Sequence, residues 1–251
     1  MTTFNALLDE AAAVPLEGWD FSWFAGRATE QRPSWGYAGL VAARLAHAEA
    51  ALDVQTGGGE VFAYALSQAG REPGLVAAVE SWPPNLAVAR KNLGGNVVAV
   101  AETAGLPFRD GTFDLVVSRH PVHTGWAETA RVLRPGGIFL SQQIGAGSNR
   151  ELSEAMMGPL PPPEGRHPEQ IAAEAEAAGF EVLRVRGERL RAEFYDIAAV
   201  AHFLRKVVWT VPGFTIERYR DRLRDVHEEI TVKGKFVSYA TRVLIEARRW
   251  G

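Results

Sequence analysis

Three consecutive glycines, Gly57-Gly58-Gly59, separate an apolar run ending in an acid, Ala51-Leu52-Asp53-Val54, from a helix-compatible run, Val61 to Leu66. A buried strand, a tight glycine turn and a helix form the opening unit of a nucleotide-binding α/β fold. Glycine suits the turn because a Cβ would keep the backbone from a ligand and would resist unusual φ/ψ values.

The downstream runs repeat the pattern. Leu75 to Val79 is a second buried-strand run and ends in Glu80, 27 residues after Asp53. That is near the spacing at which such folds place a carboxylate on a ribose hydroxyl pair, since one carboxylate accepts two hydrogen bonds at once. An acid facing a helix N-terminus would look the same at this stage. Val97 to Ala101, Phe113 to Ser118 and Ile138 to Gln142 read as three more strands. With helix-length segments between them, the runs predict a mostly parallel sheet covered on both faces.

The motifs LDVQTGGGE at 52–60, VAAVE at 76–80, ETAGLPF at 102–108, FDLVVSRH at 113–120 and LRPGG at 133–137 stand in order. Taken together, the chain resembles the class I S-adenosylmethionine (SAM) dependent methyltransferases. Within that class it is similar to the broad type 11 group related to ubiquinone and menaquinone biosynthesis methyltransferases. The resemblance covers about residues 50–145. It implies a Rossmann-like sheet of seven mostly parallel strands, with helices on both faces and an antiparallel last strand beside strand five. The second and third strands are expected to flank the first.

The resemblance also implies a cofactor, SAM, and a division of labour. Asp53, Gly57 and Gly59 would cradle the methionine end, with Ser118 facing that portion. Glu80, with Ser81 beside it, would hold the ribose, and Glu102 and Thr103 would face the adenine. Trp82 would pack on the adenine or stand as a half-buried surface residue. Asp114 matches a largely structural position, and Pro135-Gly136-Gly137 a turn before strand five. One departure stands out: Gln55 occupies the place of the first loop glycine. A glutamine does not take positive φ cheaply, so an ordinary backbone with an added polar contact is expected there. The alternative is weakened cofactor binding in a module that has lost methyl transfer.

Methyl transfer from a sulfonium is an in-line displacement that asks mainly for alignment and exclusion of water. A catalytic signature is therefore not required. His120 and His123 follow strand four, at the strand ends where open α/β sheets bind ligands. Either could serve as a general base, or could cap the next helix. No metal site is expected, because no acid or cysteine lies beside the His120-x-x-His123 pair.

The remaining sequence suggests one domain over 1–251: a helical cap at 1–48, a cofactor-binding core at 49–145, and a C-terminal part at 146–251 with inserted helices at 196–230. Gly145 to Pro168, with Pro159 and Pro161 to Pro163, reads as a long surface loop. A sixth strand over Glu181 to Val185 and a last strand over Val237 to Ala247 complete the sheet. Trp19, Phe21, Trp23, Phe24 and Trp35, together with Phe194, Tyr195, His202, Trp209 and Phe214, suggest an aromatic lid over an acceptor pocket.

With 47% hydrophobic residues the chain can bury a full core. It has no apolar run of membrane-spanning length, its first residues lack a signal-peptide layout, and a cytoplasmic location without a membrane partner is expected. The absence of cysteine excludes disulfides and thiol catalysis. Residues 181–251 carry 15 Lys and Arg against 10 Asp and Glu. The signs interleave at helical spacing, which describes a solvated helix face, so nucleic acid is not expected as a partner. A small-molecule acceptor is expected, with RNA or protein as the alternative. The oligomeric state is open.

Overall fold

The computed structural model describes residues 3–16, 21–100 and 105–251. In chain order the helices and strands are α1 (Phe4–Ala13), β1 (Ala28–Glu30), α2 (Tyr37–Leu45), β2 (Ala50–Val54), α3 (Glu60–Gln68), β3 (Leu75–Glu80), α4 (Pro83–Leu93) and β4 (Val97–Ala99). They continue with β5 (Phe113–Arg119), α5 (Trp126–Val132), β6 (Leu133–Ile144), α6 (Arg150–Met157), α7 (Pro168–Ala177), β7 (Phe180–Phe194), α8 (Ile197–Lys206), α9 (Arg220–Lys233) and β8 (Phe236–Arg249).

The sheet has eight strands in the order β1-β7-β8-β6-β5-β2-β3-β4. The five core strands run parallel, and β8 pairs antiparallel with β6, as expected for the last strand. Two expectations need correction. The first core strand, β2, is flanked by the second and the fourth, β3 and β5, while the third, β4, lies beyond β3. An eighth strand, β1, adds antiparallel to the end of β7, Ala28 opposite Phe194. Three residues carry no readable alternation, so only this pairing makes them a strand.

The chain divides into two compact units. One comprises Pro33–Gly145, Gly165–Glu188 and Arg242–Gly251. Its strands alternate between two cores. Ala51, Leu115, Val117, Leu140 and Leu244 face α2 and α3, with Val41, Leu45, Phe62 and Ala65. Leu52, Val116, Phe139 and Ile245 face the opposite way, towards Ile171, Ala175 and Phe180. Full burial of such side chains contributes about 1.5–3 kcal/mol each, which makes the period-two pattern decisive for register. Asp114 secures the entry to β2 by accepting from the Glu49 and Ala50 amides at 2.8 and 3.0 Å. The Leu133-to-Gly137 stretch is not a separate turn but part of β6: Phe113 pairs with Leu133 and Leu115 with Ile138, a register shift that absorbs the extra residues.

The other unit comprises Met1–Arg32, Ala146–Glu164 and Arg189–Thr241. Leu8 and Ala11 of α1, Leu152 and Met156 of α6, Val200 and Leu204 of α8 and Leu223 of α9 share its core. The segment read as a long loop thus holds α6, whose apolar face is too short to stand out among the surrounding prolines. β7 also outruns its expected end at Val185. Residues 189–194 alternate charged and apolar positions, and of 186–194 only Leu190, Ala192 and Phe194 are buried. Glu193 takes Arg191 at 2.6 Å and Lys235 at 2.8 Å, and Arg189 takes Glu151 at 2.5 Å.

Candidate functional site

The glycine loop leaves β2 through two left-handed residues. Gln55 has φ +57° and Gly57 φ +64°. The expectation of an ordinary backbone at Gln55 is therefore wrong: it sits in the left-handed region that favours glycine. A non-glycine residue there costs of order 1 kcal/mol. The side chain supplies the offset. Its Nε2 donates to the His123 carbonyl at 2.9 Å, and its Oε1 accepts from the Val122 amide at 2.7 Å. A Cβ added at Gly57 would meet nothing within 4 Å, so that side of the loop is open to a ligand. At Gly59 a Cβ would come within 2.7 Å of Leu93 Cδ1, which holds the loop against α4.

Two buried carboxylates flank this loop. Glu80 closes β3, and its Oε2 accepts from the Gly57 amide at 2.7 Å. Its Oε1 accepts from the Ser81 and Trp82 amides at 2.9 and 2.8 Å. These bonds hold both oxygens rigidly while leaving acceptor capacity for hydroxyls. Trp82 follows, about half exposed. Asp53 accepts from Thr56 Oγ1 at 2.6 Å. Burial raises its pKa to about 7, and Glu80 adds to the rise, while the Thr56 hydrogen bond and Arg119 oppose it. Ser118 is buried at the end of β5 and donates to the Val54 carbonyl at 2.7 Å. Of the expected cofactor residues, Asp53, Gln55, Gly57, Gly59, Glu80, Ser81, Trp82 and Ser118 thus lie on one loop and the strand ends beside it. Glu102 and Thr103 lie outside the described residues.

On the other side of Asp53 is a polar cluster that the sequence reading missed. Trp35 Nε1 donates to Gln142 Oε1 at 2.8 Å, and Gln142 Nε2 lies 2.9 Å from His120 Nε2. Tyr37 Oη donates to the Leu140 carbonyl at 3.4 Å. Burial pushes the Tyr37 hydroxyl well above its ordinary value, helped by Asp53 and opposed by Arg119 and Ser118. His120 also has positive φ, +56°, and its amide donates to the Gln142 carbonyl at 2.6 Å. Burial holds its imidazole well below the usual range, with Arg119 and Arg242 acting in the same direction. His123 is exposed, and its tie to the site is the backbone carbonyl held by Gln55. Of the aromatic residues expected to form a lid, Trp35 belongs to this cluster, Trp23 packs on His202 at 4.8 Å within the other unit, and Trp19 is outside the described residues.

Arg131 is a second omission. Its guanidinium donates to the Leu106 and Phe108 carbonyls at 2.8 and 2.7 Å and pairs with Glu128 and Asp110. It braces the segment that follows residues 101–104. An arginine in a short helix gives no sign in sequence of reaching back to a loop.

Residues 52–141 match the family model described as a methyltransferase domain. A malonyl-[acyl-carrier protein] O-methyltransferase of Geobacter sulfurreducens is 37% identical over 119 residues. The match takes in 43% of this chain and 43% of that protein, so the chain spans less than half the length of this curated relative. A functionally unknown protein from Deinococcus radiodurans R1 superposes with a TM-score of 0.61 at 18% identity, over 88% of this chain and 90% of its own. A protein assigned as a methyltransferase from Bacillus halodurans C-125 gives a TM-score of 0.57 at 20% identity, over 85% and 99%. These two likenesses are of fold. Among the described residues, no helix is long and apolar enough to cross a membrane.

Proposed function

We propose, on the premise that this chain is a class I SAM-dependent methyltransferase, that it binds SAM across the glycine loop and transfers its methyl group to a small-molecule acceptor. The observation that carries the reading is the buried Glu80 carboxylate, locked at the end of β3 by three amides, next to the open side of Gly57. These residues fit the group: a rigid two-oxygen edge for the ribose hydroxyls and a backbone that a ligand can approach closely. Asp53, Thr56 and Gly57 would hold the methionine portion, and Trp82 offers an aromatic surface to the base.

Bound SAM supplies an electrophilic methyl on a sulfonium sulfur. The protein's share is alignment and shelter. Gln55 fastens the loop at 121–123 to the glycine loop through paired hydrogen bonds, and so sets the acceptor side relative to the cofactor side. Ser118 fixes the end of β5 against β2. The G. sulfurreducens relative is named for O-methylation of malonyl-acyl carrier protein, which favours a small acyl acceptor, free or carried on a protein, over RNA. Calorimetric titration with SAM, S-adenosylhomocysteine (SAH) and NAD tests the reading: SAM and SAH should bind and NAD should not. Binding of NAD alone would overturn it.

A further inference from the structure

We propose that the acceptor presents a carboxylate, seated at the C-terminal edge of β5 and β6 beside Arg119 and Arg242, with the His120 imidazole as its N–H donor. This rests on the methyltransferase reading and adds the chemical class of the acceptor.

Strand register gives the placement. Arg119 pairs with Gln142, and Ile144 with Arg242. By the period-two alternation, Arg119, Gln142 and Arg242 project from the face that also bears Val117, Leu140 and Leu244. Asp53 lies on that face too, opposite Val117. Two guanidinium groups therefore stand near His120 at the strand ends where this fold class binds ligands.

The hydrogen bonds determine what His120 offers. An indole nitrogen can only donate, so Gln142 must present its oxygen to Trp35. That fixes the amide, whose nitrogen then faces His120 Nε2 and must donate to it. The imidazole consequently carries its proton on Nδ1, and a second proton on Nε2 would set donor against donor. Burial and the two guanidinium charges favour the same neutral form. The Nε2 lone pair is thus engaged, and the free capacity of the ring is an N–H. His120 supplies a donor and the two arginines positive charge, while Asp53, the carboxylate on this face, is engaged by Thr56 of the glycine loop.

That composition selects among acceptors. An amine that must be deprotonated would be disfavoured as a cation beside two guanidiniums, and an alcohol would need somewhere to send its proton. A carboxylate is ionised at neutral pH and matches the guanidinium fork. Its methylation forms a carboxyl O–C bond and breaks the methyl C–S bond, with the electron pair left on sulfur, both charges neutralised and no proton moved.

The test uses the full chain saturated with SAH, with ¹⁵N-labelled histidine and three probes: hexanoate, hexanamide and hexylamine. The free protein should show His120 protonated at Nδ1 only. Hexanoate should shift that resonance and bind at least tenfold more tightly than hexanamide or hexylamine. Arg119→Gln should weaken hexanoate at least tenfold, Arg119→Lys should weaken it less, and SAH affinity should stay within about threefold. Arg242→Gln should act likewise if it melts as the natural chain does; where it does not fold, Arg119→Gln decides. An Nε2-protonated His120, equal binding of hexanamide, or unchanged hexanoate affinity in Arg119→Gln would overturn the proposal. Failure to bind SAH would instead overturn the methyltransferase reading beneath it.

Discussion

Gln55 and His123 are joined across 68 positions of sequence by a side-chain-to-carbonyl hydrogen bond of 2.9 Å, and the same carboxamide takes the neighbouring Val122 amide at 2.7 Å. A strained backbone residue on the glycine loop thereby becomes the strap that holds the loop at 121–123. The strain and the strap belong together: a glycine would relieve φ +57° and lose both bonds.

Gln55→Gly is accordingly expected to keep SAH affinity within about tenfold, or 1.4 kcal/mol. Its effect should appear on the other loop, as faster hydrogen exchange at the Val122 amide and a raised KM for the acceptor. Exchange unchanged at Val122 would show that the strap does not hold in solution. A variant that gains SAH binding absent from the natural chain would mark this as a lapsed methyltransferase.

Glu80→Ala should weaken SAH by about 1.5–3 kcal/mol, the scale of hydrogen bonds to a charged group. It should also loosen Gly57, whose amide has Glu80 as partner. Calorimetry on the variant checks the first effect, and exchange at Gly57 the second. Undiminished SAH affinity would remove Glu80 from the site.

Gly59→Ala combines a left-handed φ of +75° with a Cβ placed 2.7 Å from a buried leucine methyl. A loss of about 1–3 kcal/mol in stability is expected, with SAH binding weakened alongside it because the loop must move away from α4. The comparison variant Gly95→Ala has negative φ and open space around its Cβ position, and it should cost little. Equal melting of the two variants would argue against a tightly packed loop.

How much of this was legible in the sequence follows from the range of the forces involved. The strands carrying Asp53, Glu80 and Ser118 announce themselves because both faces of a parallel sheet are buried, which forces continuous apolar runs. Their polar ends then stand out. β1 and the outer half of β7 do not, since their stability comes from pairing and from charge pairs such as Arg191 with Glu193. The Trp35–Gln142–His120 chain was invisible for a related reason: residues 35 and 142 meet only through the sheet order. Gln55 shows a local rule failing at a working position. Its left-handed backbone contradicts its residue type, and only the contact with 122–123 explains why the residue is tolerated there.

His202 offers a test in the second unit. It is buried between Trp23 and Phe24, at 4.8 and 5.2 Å, and burial lowers its pKa to about 4, with Lys206 and Arg205 contributing. A folded-state pKa depressed below the unfolded value of about 6.5 means stability that is present above that value. It is lost as pH falls from about 6.5 towards 4. His202→Leu should therefore lose less stability than the natural chain over that interval, by about 1–3 kcal/mol, in denaturant melts followed by Trp fluorescence. Parallel pH profiles for the two proteins would show that His202 does not titrate with unfolding.

Asp53 should produce the opposite slope. Its folded-state pKa is raised from 3.8 to about 7, chiefly by burial, so the folded chain holds a proton that the unfolded chain releases. The resulting stabilisation is fully present below the unfolded value, near pH 4, and is lost as pH rises through about 7. At 1.36 kcal/mol per pKa unit the upper bound is about 4 kcal/mol. Asp53→Asn removes the titration but keeps an oxygen for Thr56 Oγ1, which now donates at 2.6 Å. In ligand-free protein the variant should match the natural chain near pH 4.5 and exceed it by about 1–4 kcal/mol at pH 8, because the buried negative charge is absent. Taking the difference between the two proteins cancels the groups they share, including Glu80, Tyr37 and Arg119, which surround Asp53. A stability difference independent of pH would mean that Asp53 stays ionised throughout, with Arg119 compensating it more strongly than burial opposes it.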